Sequence, residues 1–170
     1  MIGKSYDGTL SNGVAATGVD GLTTIVPISA ISQWYEYSRT GGIRHNNNYP
    51  GNTLAPAVTN SDRLATCAAS RAAMNAEDGD ETGDVNQFWI DRDHLKDASK
   101  VKASVFITHG FQDDNVRFNQ ATIWWDALKA NGVPLKMWIT RTGHEDPFDF
   151  RRAEWVDTLH RWFDHWLYGL

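Results

Sequence analysis

Apolar positions along this chain fall into two rhythms. Short runs rich in β-branched and apolar residues, Leu22 to Ile28 (L-T-T-I-V-P-I), Val101 to Thr108 (V-K-A-S-V-F-I-T) and Pro134 to Thr140 (P-L-K-M-W-I-T), read as buried strands, with Pro27 closing the first. Spacings of three and four predict helices elsewhere. Trp155, Leu159, Trp162, Phe163, Trp166 and Leu167 form one apolar face of a final helix, and a helix through Trp124, Trp125 and Leu128 stops at Gly132. Ser5 to Gly18 is a run of small residues closed by glycine, as expected of a helix packed tightly on a sheet. Ser61 with Asp62 caps a helix to about Asn75, and Asp84 caps another carrying Phe88, Trp89 and His94, while residues 41–60 are loop chemistry. Strands that alternate with helices imply an α/β fold, a parallel sheet with flanking helices, whose sites lie at the carboxyl ends of the strands.

Composition narrows the partners. The 170 residues suit one domain, and 41% hydrophobic with 22% charged residues is ordinary for a soluble globular chain. No apolar run is long enough for a membrane span. With 21 acidic against 16 basic residues, a formal charge of −5 and no basic stripe, nucleic acid is not the expected partner. A peptide or small molecule fits better. The single cysteine, Cys67, cannot form an internal disulfide, so the compartment stays open between cytoplasm and secretion; its place in the run Leu64, Ala65, Ala68, Ala72 suggests a buried structural thiol. The eight tryptophans are expected to pack a core. In the acidic run 77–84, Asp78, Asp80 and Gly83 sit at offsets of a calcium loop, but its twelfth position is Trp89 where a glutamate is required, so no metal is expected there.

The chemistry begins at Gly3-Lys4-Ser5. These residues could close a phosphate-binding loop or form the strand-to-helix turn that lifts a nucleophilic serine out of a sheet. Locally both readings stand. Downstream, an acid follows the second long strand and a histidine follows the third, giving the chain order Ser5, Asp113, His144 of an α/β-hydrolase. A parallel sheet would bring all three to one rim, where neutral His144 could take the Ser5 proton and Asp113 could orient the imidazole. Asp114 and His109 are the rivals for acid and base.

The stretch G-K-S-Y-D-G-T-L-S-N-G-V-A-A-T-G-V-D-G-L resembles the nucleophile segment of the Xaa-Pro dipeptidyl-peptidases, whose elbow typically reads G-x-S-Y-x-G. The resemblance continues in I-V-P-I-S-A-I-S-Q-W-Y-E-Y, D-V-N-Q-F-W-I-D-R-D, H-G-F-Q-D-D-N-V, G-V-P-L-K-M-W and G-H-E-D-P, and so covers nearly the whole chain. It implies Ser5 as nucleophile, Asp113 as acid, His144 as base and the Tyr6 backbone N–H as one oxyanion donor. It further implies removal of N-terminal dipeptides from peptides with proline second, through an acyl-enzyme and without metal or organic cofactor. Acyl esterases of the cocaine-esterase type share that fold and triad, so they remain an alternative, as does the phosphate-loop fragment.

On the same resemblance, residues 1–40 are the first part of a partial α/β-hydrolase core, 41–98 a helical cap insertion, and 99–170 the second part of the core. Trp34, Tyr35, Phe88 and Trp89 are candidates for an apolar proline pocket, and Glu36, Glu77, Asp78, Asp80 and Asp84 for the substrate's α-ammonium. A homodimer of the full-length protein is a further expectation. Enzymes of this kind are much longer, with a sheet before the elbow and a β-rich domain after the last helix, and supply a second oxyanion donor from an upstream tyrosine. The chain therefore reads as the central piece of an enzyme, which on its own could be inactive.

Overall fold

The computed structural model describes residues 1–45, 50–79 and 82–170. In chain order the elements are β1 (Ile2–Lys4), α1 (Tyr6–Ala16), β2 (Thr24–Ile28), α2 (Trp34–Ser38), β3 (Arg39–Thr40), β4 (Ile43–Arg44), α3 (Ala55–Val58), α4 (Ala68–Glu77) and α5 (Gln87–Ile90). There follow β5 (Ser104–Gly110), α6 (Asn119–Ala130), β6 (Leu135–Thr140), α7 (Pro147–Phe150) and α8 (Arg152–Tyr168). Two compact units result, one of Met1–Ser32 with His94–Leu170 and one of Gln33–Asp93. Among the described residues no helix is long and apolar enough to cross a membrane.

The larger unit is built on a parallel sheet of order β1-β2-β5-β6. Side chains alternate across its pleat, and the two faces collect two cores. Ile25, Val105 and Ile107 point to one face, where Ala15, Ala121, Trp124 and Leu128 cover them. Val26, Ile28 and Phe106 point to the other, under Trp155 and Trp162 of α8. Both inner strands are therefore fully buried and read as near-continuous apolar runs, as strands of a doubly covered parallel sheet must.

Pro27 does not end β2, contrary to the expectation. The strand continues to Ile28 because the proline lacks only an N–H: β2 pairs with β5 at Thr24, Ile25 and Ile28 and skips the stretch around the proline. Helix α1 carries a buried face of Thr9, Ser11, Asn12, Ala15 and Ala16, and its polar members are satisfied locally: the Ile31 N–H donates to Thr9 Oγ1 at 2.9 Å and Asn12 Nδ2 donates to Ile31 O at 3.0 Å. Small side chains there let the helix lie close to the sheet. Trp162 adds a polar tie to its packing, its Nε1–H donating to Thr24 Oγ1 at 2.8 Å.

Several elements of the smaller unit differ from expectation. Residues 41–60 are not loop throughout: β3 and β4 form a short antiparallel hairpin, and a π-helical turn (Pro50–Leu54) leads into α3. The helix expected from Ser61 starts at Ala68, after a 3-10 turn at Ser61–Arg63, and buries none of its residues. Its alanines supply helix propensity rather than a core stripe, so Cys67 is half-buried, not sealed. Asn86, not Asp84, caps α5 by accepting from the Trp89 N–H, and that helix ends at Ile90, well short of His94. The acidic run is not simply solvated either. Asp78 is 2% exposed, its backbone oxygen accepting from Trp89 Nε1 at 2.8 Å and its carboxylate 3.7 Å from Arg44; burial raises its pKa against the pull of Arg44 and Arg39. Asp80 and residues 46–49 lie outside the described residues.

Trp155 is the keystone of the α8 face, 2% exposed, with ring centroids 5.5 Å from Phe106 and 5.4 Å from Trp138. Trp155→Ala is expected to lower the unfolding free energy by about 3–5 kcal/mol, whereas Trp166→Ala, half-buried on the same helix, costs clearly less. Urea titration of the two variants checks the order.

Candidate active site

β1 passes the chain to α1 through one residue. Ser5 stands between them at φ 58° and ψ −118°, a conformation that costs a non-glycine residue on the order of 1–3 kcal/mol. Backbone bonds hold it there. The Ser5 N–H donates to Ile28 O at 2.8 Å, and its carbonyl accepts from the Thr9 N–H at 2.9 Å and the Thr9 hydroxyl at 3.0 Å. So sharp a turn requires bare backbone on both sides. A Cβ at Gly3 would lie 2.6 Å from Asp7 Cβ, and one at Gly8 would lie 2.7 Å from the Gly3 carbonyl oxygen. The second glycine is needed at Gly8, where helix crosses strand, and Asp7 fits because Gly3 has no side chain.

The phosphate-loop reading fails on this geometry. Such a loop places its lysine after the loop, at the start of a helix, whereas Gly3 and Lys4 are strand residues paired with Pro27 and Ile28. Tyr6 opens α1, so its N–H lies at the positive end of the helix dipole beside Ser5. Its ring is exposed.

β5 ends at Gly110 and delivers Asp113 three residues on, 5% exposed, while Asp114 is exposed. Asp113 Oδ1 accepts from the N–H groups of Asn115 at 3.0 Å and Val116 at 2.9 Å, and Oδ2 accepts from His144 Nδ1 at 2.8 Å. Burial is the largest influence on this carboxyl and would raise its pKa. The hydrogen bond and charge of His144, the charge of His109 and the Val116 N–H together outweigh it, and the net position is below the ordinary aspartate value. Asp113 is an ionised, fully bonded acid.

The His144 loop is pressed onto the acid loop by main-chain contact. The Phe111 N–H donates to Thr140 O at 2.8 Å and the Gln112 N–H to Thr142 O at 3.0 Å. Only glycine fits at the crossing: a Cβ at Gly110 would fall 2.1 Å from Gly143 O and 2.3 Å from Thr142 O. The structure thus joins Asp113 to His144 directly and brings Ser5 to the same sheet edge, since β1, β5 and β6 run parallel. With an ionised acid accepting on its Nδ1 side, the imidazole places a ring N–H toward Asp113. An alcohol, a base and an orienting acid on one rim can perform acyl transfer.

His109, the rival base, is 2% exposed with Nε2 directed at Val116 O, 2.7 Å away, so it has no face to offer a substrate. The aromatic candidates fall in the smaller unit. Phe88 and Trp89, 5% and 0% exposed, are its core, stacked edge to face at 4.9 Å, with the Arg92 guanidinium 3.7 Å over the Phe88 ring. Packing uses both, and Phe88 also borders a cavity of about 430 Å³ shared with Gln87, Asp91 and Arg92. Trp34 and Tyr35 are half-buried, Trp34 against Tyr37 and Tyr35 with its hydroxyl donating to Gly83 O. Among the acids, burial raises the pKa of half-buried Glu36. Sequence reasoning did not foresee the demand on Gly110; its signal was the H-G pair closing a strand before the acid.

The pattern of the family described as "X-Pro dipeptidyl-peptidase (S15 family)" matches residues 1–146. A Streptomyces avermitilis protein carrying the Xaa-Pro dipeptidyl-peptidase designation is 55% identical over 99% of this chain, which spans 25% of that relative; a Bacillus anthracis protein of the same designation is 44% identical over the whole chain, which spans 29% of it. The chain therefore spans only a quarter or so of the relatives it matches. Among solved structures, the acylaminoacyl peptidase of Pyrococcus horikoshii superposes with a TM-score of 0.71 at 16% identity, over 100% of this chain and 24% of that one, a likeness of fold.

Two measurements check this geometry. Gly110→Ala is expected to drive the two loops apart and break the Asp113–His144 bond, seen as loss of the downfield Nδ1 proton resonance of His144 in a chain that still folds. Asp113 has a folded pKa below its unfolded value, so its stabilisation is complete above about pH 4 and is lost as pH falls through the folded value. Unfolding free energy should therefore drop less steeply below about pH 4 in Asp113→Asn than in the unaltered chain.

Proposed function

The chain belongs to the X-Pro dipeptidyl-peptidase (S15) family, and on that premise we propose that it carries the catalytic residues of a serine peptidase removing Xaa-Pro dipeptides from peptide N-termini. The observation that supports this most is the 2.8 Å bond between Asp113 Oδ2 and His144 Nδ1 at the sheet edge where Ser5 holds its strained turn.

In the proposed reaction the Ser5 Oγ–H proton passes to His144 Nε2 as Oγ forms a bond to the carbonyl carbon of the second substrate residue. The carbonyl π pair moves onto oxygen, and the resulting oxyanion faces the Tyr6 N–H at the start of α1. The imidazolium is stabilised by Asp113, which stays ionised throughout. Collapse of the tetrahedral species breaks the C–N bond, and His144 returns its proton to the departing amine. Water then repeats the sequence on the dipeptidyl ester, with His144 again as base, and frees Ser5. Each proton finds its acceptor among these residues, and no cofactor enters.

The test uses the intact polypeptide with Ala-Pro and Ala-Ala chromogenic substrates and a simple ester. Fast release from Ala-Pro, slow release from Ala-Ala, and a loss of at least about 10⁴-fold in Ser5→Ala are expected. Equal rates on the two peptides with rapid ester cleavage would establish an acyl esterase instead. Undiminished turnover in Ser5→Ala would overturn the assignment.

A further inference from the structure

The proposed reaction leaves one buried titratable group of the rim without a part. His109, the residue before the end of β5, has a side chain 1% exposed, and its Nε2 lies 2.7 Å from Val116 O. A carbonyl oxygen only accepts, so the proton sits on Nε2. Burial, the largest influence, lowers the pKa of this ring, and the charge of His144 acts the same way; the Val116 carbonyl and the Asp113 carboxylate pull against them without reversing the direction. At neutral pH His109 is an uncharged donor with its proton fixed in place.

Two consequences follow from where that proton points. Val116 is gripped at both ends, its N–H by Asp113 Oδ1 at 2.9 Å and its carbonyl by His109, so the turn that presents the acid is tied to the rigid strand beneath it. The same Nε2 also lies 3.5 Å from Asp113 Oδ2, the oxygen that accepts from His144. That separation is too long for a good hydrogen bond. It is short enough, between side chains 1% and 0% exposed, for the positive end of the N–H dipole to draw on the carboxylate charge in a poorly screened site. Phe118 closes the outer edge of the imidazole at 5.9 Å. The titratable groups that face His109 are Asp113, from its own loop, and His144, from the loop after β6.

We propose that His109 is a positioning residue for acyl transfer: its Nε2–H pins the Val116 turn that aims Asp113 and, 3.5 Å from Oδ2, shares the charge of the carboxylate that faces His144. This rests on the assignment of Ser5, Asp113 and His144 to catalysis. A residue that merely filled the core would affect stability and leave the pH dependence of turnover unmoved. His109 sets both the aim of the acid and the charge it presents to the rim, so its loss has a direction in each. Without the dipole more negative charge remains on Oδ2, and the acid limb of kcat/KM moves upward. Without the tie the acid wanders and kcat falls.

The test compares His109→Phe, which keeps a ring and loses the donor, with His109→Gln, whose amide nitrogen can reach the place of Nε2, and His109→Asn, whose shorter amide cannot. All are made in the intact polypeptide and assayed on both an Ala-Pro peptide and a simple ester, so that peptide preference does not enter. His109→Phe is expected to lower kcat about 10- to 100-fold with KM changed by less than about threefold and the acid limb raised by a few tenths of a pH unit or more. His109→Gln is expected to restore both. An unaltered kcat and acid limb in His109→Phe, or equal losses in Phe and Gln with the limb unmoved, overturns the proposal. If His109→Phe does not fold by circular dichroism, Gln against Asn carries the comparison: Gln near the unaltered enzyme with Asn slow and shifted supports it, and Gln and Asn alike overturns it. Ser5→Ala, run beside them, reads the parent assignment separately, because turnover without Ser5 removes the triad whatever the His109 variants do.

Discussion

An imidazole and a carboxylate 31 positions apart meet at 2.8 Å because β5 and β6 lie side by side and because Gly110, at the end of β5, has no side chain. Strand pairing sets the two loops side by side, and main-chain hydrogen bonds from residues 111 and 112 to Thr140 at the end of β6 and to Thr142 hold them together. A methyl group at the crossing would overlap two carbonyl oxygens. The absence of one carbon atom therefore lets those bonds form, and it explains why glycine follows directly on a buried histidine in a strand otherwise rich in branched and aromatic side chains.

Strain and burial are concentrated at the same edge. Among the described residues the non-glycine positions with positive φ are Ser5 and Ser29, which follow directly on β1 and β2. Ser29 ends an inner strand covered on both faces, by large rings from α8 on one side and by small side chains of α1 and the apolar stripe of α6 on the other. Ser5, by contrast, ends the edge strand β1 and is held by its bonds to Ile28 and Thr9. Rigid strands with strained ends are the physical basis for a turn that holds a serine at fixed aim. The tryptophans of α8 are thus connected to the chemistry, though only through the sheet they cover.

What could be read from the sequence follows from which interactions are local. Runs such as V-K-A-S-V-F-I-T and the three-and-four spacing from Trp155 to Leu167 declare strand and helix by themselves, and both elements stand where the pattern put them, within a few residues. Chain order and loop position marked Ser5, Asp113 and His144 for the rim. Elsewhere local signals misled. The alanine-rich run around Cys67 looked like a buried stripe and is a helix with no buried residue, lying against the turn at Pro50–Leu54 through Arg71 and Asn75 rather than through its alanines. Asp78 looked like one more acid of a solvated turn and is enclosed, since its neighbours in space, Arg44 and Trp89, lie far from it in sequence or on another element. Phe88 and Trp89 are buried in the smaller unit, and their composition alone does not separate packing from a place beside a cavity, which Phe88 also borders.

The pairing of acid and imidazole follows from this same chain of contacts. Nδ1 of His144 lies 2.8 Å from an ionised carboxylate oxygen of Asp113. Asp113 is ionised although burial opposes it, because the hydrogen bond and charge of His144, the charge of His109 and the Val116 N–H together outweigh burial. Two main-chain N–H groups occupy Oδ1 and leave Oδ2 to the imidazole. Those N–H groups are held in turn by a loop whose far carbonyl is fastened to His109 on β5. The aim of the carboxylate at the rim is therefore fixed by backbone geometry, and Asp114, one residue along but exposed, cannot take the place of Asp113, because the turn that directs N–H groups toward one carboxylate leaves the next facing water.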